Sequence, residues 1–61
     1  MDIKIREYRK NRALTQQQLA EILGVRQNTI CQWEKGKREP SIKMCKEVAS
    51  VLGVSLDELV G

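Results

Sequence analysis

The sequence predicts an all-α domain of five short helices, and three observations carry that prediction. Apolar residues recur at intervals of three and four, and the glycines at 24, 36, 53 and 61 each follow one such segment. Hydroxyl-bearing residues suited to helix capping, Thr15, Ser41 and Ser55, stand before three of the segments. With 61 residues the chain is expected to form one domain, 1–61, because so short a chain buries only about 60% of its unfolded surface and has no room for a second core.

Ile5, Tyr8 and Arg12 recur at helical spacing with charges between them, which predicts helix one over roughly residues 2–12. Thr15 offers a side-chain oxygen to free amides and Gln18 completes a capping box. Leu19, Ala20, Ile22 and Leu23 follow, so helix two covers about 16–23. The chain turns at Gly24, where a residue without a Cβ meets little penalty at positive φ. Val25 re-enters the core, and Ile30 and Trp33 share one face of helix three, about 27–35. Gly36 stops that helix, and Lys37-Arg38-Glu39-Pro40 reads as an exposed basic loop. Ser41 then caps helix four, about 42–52, which is expected to turn Ile42, Cys45, Val48, Ala49 and Leu52 inward. Val54 packs back after Gly53, and Ser55 to Glu58 form a second capping box opening helix five, with Leu56, Leu59 and Val60. Leu14 completes the expected core, in which Trp33 is the largest side chain.

Composition narrows the function classes. Apolar residues are 41% of the chain and charged residues 31%, a globular balance, so it is expected to fold unaided. Two cysteines, Cys31 and Cys45, without histidine or Cys-x-x-Cys spacing make no zinc set, and no cofactor is implied. They read as one packed and one surface thiol. The first twelve residues are charged at almost every second position, unlike a secretory signal, and Val48 to Leu52 is too short for a bilayer. No membrane role is expected, and the expected location is the cytoplasm. The net charge of +3 is unevenly spread: all eleven Lys and Arg lie at or before Lys46 with five of the eight acids, a net +6, and the remainder carries −3. That asymmetry suits a protein that presents its basic part to a polyanion.

The segment from Gln16 to Lys35 reads as two helices about a tight corner. Crossing helices at such an angle requires a small contact residue, here Ala20, and a turn residue tolerating positive φ, here Gly24. Arg26, Gln27, Asn28, Cys31, Gln32 and Lys35 then form the exposed face of the second helix. Amide side chains both donate and accept, so they can bond bidentately to adenine N6 and N7 in the major groove. Arg26 can pair with guanine or with phosphate, two alternatives the residue type leaves open.

These residues resemble the phage-repressor/Cro-type (Xre-like) helix-turn-helix family. The resemblance is carried by Leu14-Thr15-Gln16, Leu19-Ala20, Leu23-Gly24-Val25, Thr29-Ile30, Trp33-Glu34, Gly36, Pro40-Ser41 and Leu52-Gly53-Val54-Ser55 with Leu59, and it covers almost the whole chain. It implies a five-helix, lambda-repressor-like domain that docks its third helix in the major groove. It further implies that Gln16 touches the backbone or an edge base, that Gln27, Asn28 and Gln32 read bases, and that Lys35, Lys37 and Arg38 grip phosphate. Arg9 and Glu34 match a structural pair joining helix one to the end of helix three. Two departures stand out. Relatives commonly have glycine where this chain has Ala13, so helix one is expected to end under strain or to continue further. Arg26 occupies a position that Ser or Thr often fills as helix cap.

The expected function is sequence-specific binding of double-stranded DNA by a nucleoid-associated, repressor-like transcriptional regulator, as a homodimer on a palindromic operator. By fold-level analogy, the dimer edge is expected around Leu56, Leu59 and Val60. The alternative is a protein-interaction adaptor or antitoxin-like neutraliser on the same scaffold, working through a partner. An enzyme is not expected: histidine is absent and the acids are scattered. No small-molecule ligand is implied.

Overall fold

The computed structural model describes residues 3–61 and consists of five helices: α1 (Ile5–Asn11), α2 (Gln16–Leu23), α3 (Gln27–Glu34), α4 (Ile42–Leu52) and α5 (Leu56–Val60). No strand occurs among the described residues. Helices two to five match their expected spans to within a residue. The first is shorter than expected: Asp2 lies outside the described residues, and the helix starts at Ile5 and stops at Asn11. Arg12, expected within the helix, is instead exposed just beyond it as the C-cap.

Each helix contributes one apolar stripe to a single core. Ile5 comes from α1, Leu19 and Ala20 from α2, Ile30 and Trp33 from α3, Val48, Ala49 and Leu52 from α4, and Leu59 from α5. Ile3, Met44 and Val51, which the periodicity did not single out, pack against this cluster. Ile42 departs from expectation in the other direction and is 63% exposed. It is the first residue of α4, and because helical Cα–Cβ bonds tilt toward the N-terminus, its side chain leans past the helix end, off the core. The ends of the chain are joined where the Lys4 amide donates to the Leu59 carbonyl at 2.8 Å.

Both expected capping boxes form. The Gln18 amide donates to Thr15 Oγ1 at 3.0 Å and the Thr15 amide to Gln18 Oε1 at 2.8 Å, with Ser55 and Glu58 paired likewise. Ser41 Oγ accepts from the Met44 amide at 3.1 Å. These bonds satisfy amides that the first helical turn leaves without partners.

At the other end of α2, Gly24 adopts φ +72° and lets the Val25 amide reach back to the Ala20 carbonyl at 3.0 Å. The first helix ends in the same pattern, with Ala13 and Leu14 amides donating to the Lys10 and Arg9 carbonyls at 2.9 and 3.1 Å. There the left-handed residue is Ala13, at φ +55°. The sequence left two outcomes open at Ala13, and the one found is a strained helix end.

Candidate nucleic-acid interface

The most extensive helix–helix contact in the fold is between α2 and α3. Ala20 is 1% exposed at their junction, so a larger side chain there would separate the two helices. On α3, Ile30 and Trp33 point into the core. With about 3.6 residues per turn, Asn28, Cys31, Gln32 and Lys35 fall on the opposite side. Of the expected site residues, Arg26, Gln27, Asn28, Lys35, Lys37 and Arg38 are exposed, while Gln16 and Gln32 are half-buried.

The loop after α3 folds back on that helix. Lys37 and Arg38 amides both donate to the Gln32 carbonyl, at 2.9 and 3.4 Å. This draws the two basic residues to the C-terminal end of the amide-bearing helix, as the sequence reading requires. Arg26 is the N-cap of α3, with extended backbone (φ −83°, ψ 150°) and no side-chain capping bond. The helix therefore begins at Gln27, which places Gln27 and Asn28 together in its first turn.

Gln16 has a role the sequence did not reveal. Its Nε2 donates to Glu34 Oε1 at 3.1 Å, joining the start of α2 to the end of α3. Glu34 is in turn held by Arg9, whose Nε donates to Oε2 at 2.7 Å and whose Nη2 donates to Oε1 at 3.1 Å. The remaining Arg9 nitrogen, Nη1, donates to the Leu14 carbonyl at 2.8 Å. Burial of Glu34 opposes its ionisation, but the hydrogen bonds from Arg9 and Gln16 and the charges of Arg9 and Arg6 outweigh it and hold the carboxyl below its ordinary 4.5. Glu34 is thus an ionised tether between three helices.

Above that tether lies a cleft of about 300 Å³. Besides the Arg9–Glu34 pair, it is lined by Arg6 and Lys10 from α1, Gln16 from α2, Cys31 from α3 and Lys35, the C-cap of α3. Arg6 and Lys10 were not singled out from the sequence, although their four-residue spacing was the signal that puts them on one helix face. The two cysteines separate as expected: Cys31 is half-buried in the cleft wall and Cys45 lies in the core. Burial and the nearby Glu39 charge raise the Cys45 thiol above its ordinary range, so it remains protonated and packs as a small apolar group. Of the residues expected at a dimer edge on α5, Leu59 is fully buried within its own domain, while Leu56 and Val60 are half-buried.

Among the described residues, no group of His, Cys, Asp and Glu is arranged to hold a metal ion, and no helix is long and apolar enough to cross a membrane.

Comparison with known proteins places this geometry. The helix-turn-helix family model matches residues 5–59. The chain is 41% identical over 59 residues to an uncharacterised HTH-type transcriptional regulator of Methanocaldococcus jannaschii, covering 97% of this chain and 89% of that protein. It is 39% identical over 59 residues to a similarly named regulator of Archaeoglobus fulgidus, covering 97% and 84% of the two. A phage protein is similar as well: the cryptic phage CTXphi transcriptional repressor RstR of Vibrio cholerae is 39% identical over 93% of this chain and 51% of its own length. Five helices, a glycine corner between α2 and α3 and a match spanning every helix together establish that this chain belongs to the phage-repressor-type (Xre-type) helix-turn-helix family.

Proposed function

We propose that this protein is a transcriptional regulator of repressor type that binds double-stranded DNA in a sequence-dependent way, inserting α3 into the major groove. The observation that carries this reading is the outward face of α3. Two exposed amide side chains, Gln27 and Asn28, are followed by Gln32 and Lys35, with Lys37 and Arg38 folded back beside them. In this reading Gln27, Asn28 and Gln32 contact base edges, Lys35, Lys37 and Arg38 fix the helix on the sugar–phosphate backbone, Gln16 touches the backbone or an edge base, and Arg26 pairs with phosphate or guanine. Gln16 keeps one amide proton on Glu34 and has a second to offer, so the two roles are compatible.

Residues 1–61 act here as one DNA-binding unit, working with the nucleoid in the cytoplasm. The fold extends only 24 Å in its longest direction, whereas successive major-groove half-sites are separated by about 34 Å. One copy therefore covers one half-site, and a palindromic operator takes a homodimer. The reading includes no catalytic step: Glu34, the carboxylate in the cleft, is kept ionised by protein donors and serves as a tether.

The test is selection of preferred duplexes from a random pool, followed by titration of the selected site and a scrambled one. A preference of a thousandfold or more, the lower range for specific binders, supports the reading. Equal affinity for both duplexes, or no binding at 50 mM salt, rejects it in favour of a partner-binding adaptor.

A further inference from the structure

We propose that the cleft between α1 and α3 is a seat for a DNA backbone phosphate, with Arg6 and Lys10 of α1 as phosphate-binding residues beside Lys35 at the C-cap of α3. The inference rests on the DNA-binding reading above and extends the interface to a helix otherwise assigned only to the scaffold.

Three features converge on it. First, charge: the cleft walls carry Arg6, Lys10 and Lys35, and among the described residues the only ion pair is Arg9 with Glu34. The one acid in the cleft is held by a guanidinium that grips both its oxygens, and among the described residues Arg6, Lys10 and Lys35 have no carboxylate within ion-pairing distance. Second, position: Cys31 lies on the outward side of α3 and Lys35 caps the end of that helix, so the cleft borders the surface proposed to face the groove. A strand flanking a major groove occupied by α3 passes along this edge. Third, room: a cleft of about 300 Å³, open on one side, admits a phosphodiester group with part of its hydration shell. Arg6 and Lys10, one turn apart on α1, reach into it from one side and Lys35 from the other.

The chemistry is that of sequence-independent anchoring. Each phosphate neutralised by a cation releases condensed counterions, so these residues govern the salt dependence of binding and carry no base preference.

The experiment measures affinity for the selected duplex and for a scrambled duplex between 50 and 300 mM salt. It compares wild type with Arg6→Gln, Lys10→Gln, the double variant, and Lys4→Gln as a control. Lys4 is an exposed cation on the same segment, outside the cleft and bonded through its backbone to α5. The expected result is a log–log salt slope shallower by about 1 for each single variant and about 2 for the double, with the ratio between the duplexes unchanged. Charge-keeping variants Arg6→Lys and Lys10→Arg retain the wild-type slope, and thermal unfolding of each variant distinguishes lost contacts from lost fold. If wild type binds with a steep slope and the double variant matches it, or if Lys4→Gln changes the slope equally, the phosphate seat is wrong while the DNA-binding reading stands. If wild type binds no duplex, both fall together.

Discussion

Arg9 grips both carboxylate oxygens of Glu34 across 25 residues of sequence, and the side chains of the pair are only 10% and 6% exposed. Because Glu34 is the last residue of α3, this pair sets how the amide-bearing helix is carried on α1. A pair this buried is costly to halve, since the surviving charge has lost its partner but not its desolvation. Arg9→Met is expected to destabilise the fold by about 3 kcal/mol in urea titration. Arg9→Met combined with Glu34→Leu should recover most of that loss, because an apolar pair leaves no stranded charge. A double variant no more stable than the single would show that the pair stabilises in its own right.

The same carboxylate makes stability pH-dependent. Glu34 has a folded pKa below its ordinary 4.5, despite the opposing effect of burial, and the exposed Glu58 is also lowered, by its backbone and side-chain hydrogen bonds with Ser55. A depressed folded pKa means that the unfolded chain takes up protons first as pH falls. The stabilisation is therefore complete above the unfolded value and lost as pH drops through the folded one. Urea midpoints should be flat from about pH 7 to 5.5 and fall below about pH 5. Glu34→Gln should lower the plateau and shrink the acid-side fall; an undiminished fall would assign the acid sensitivity elsewhere.

Ala13 occupies at φ +55° a position where α2, α3 and α4 each end on a left-handed glycine. A Cβ in this conformation costs about 1–2 kcal/mol, and glycine gives back part of that through its freer unfolded chain. Ala13→Gly should stabilise by about 0.5–1 kcal/mol, raising Tm by several degrees. It changes no contact on the α3 face, so DNA affinity should not move. A lower Tm would mean that the strain is relieved in some way the backbone geometry does not show.

Most of the fold was legible because its signals are local. Thr15 with Gln18, Ser55 with Glu58 and the glycines after α2, α3 and α4 fix boundaries through bonds spanning three to five residues, which sequence spacing records directly. What escaped depends on end effects and on long-range packing. Ile42 has the spacing of a core residue but stands where α4 has no preceding turn to cover it. Leu59 has the spacing of a core residue and is one, but that the Lys4 amide donates to its carbonyl depends on how the start of the chain packs on α5, which spacing does not record. The outward amides of α3 could be read from periodicity, whereas the meeting of Gln16 with Glu34, and of Arg6 and Lys10 with Lys35, arises only once α1 is laid across α3.

Arg26 puts local stability and the proposed function in opposition, and that makes it the sharpest test of the interface. Its backbone already has the extended N-cap geometry, but its side chain makes no capping bond, and its positive charge sits against the positive end of the α3 dipole. A serine there needs no backbone change to accept from the amides of the first turn. Arg26→Ser is therefore expected to stabilise the isolated protein by about 1 kcal/mol. If Arg26 contacts phosphate, the same substitution should weaken selected and scrambled duplexes alike and reduce the salt slope by about 1; if it contacts guanine, it should cost about 1–3 kcal/mol on the selected duplex alone. A residue that costs the fold stability yet changes binding on neither duplex would contradict both roles. It would leave α3 anchored at its N-terminal end by Gln27 and Asn28 only.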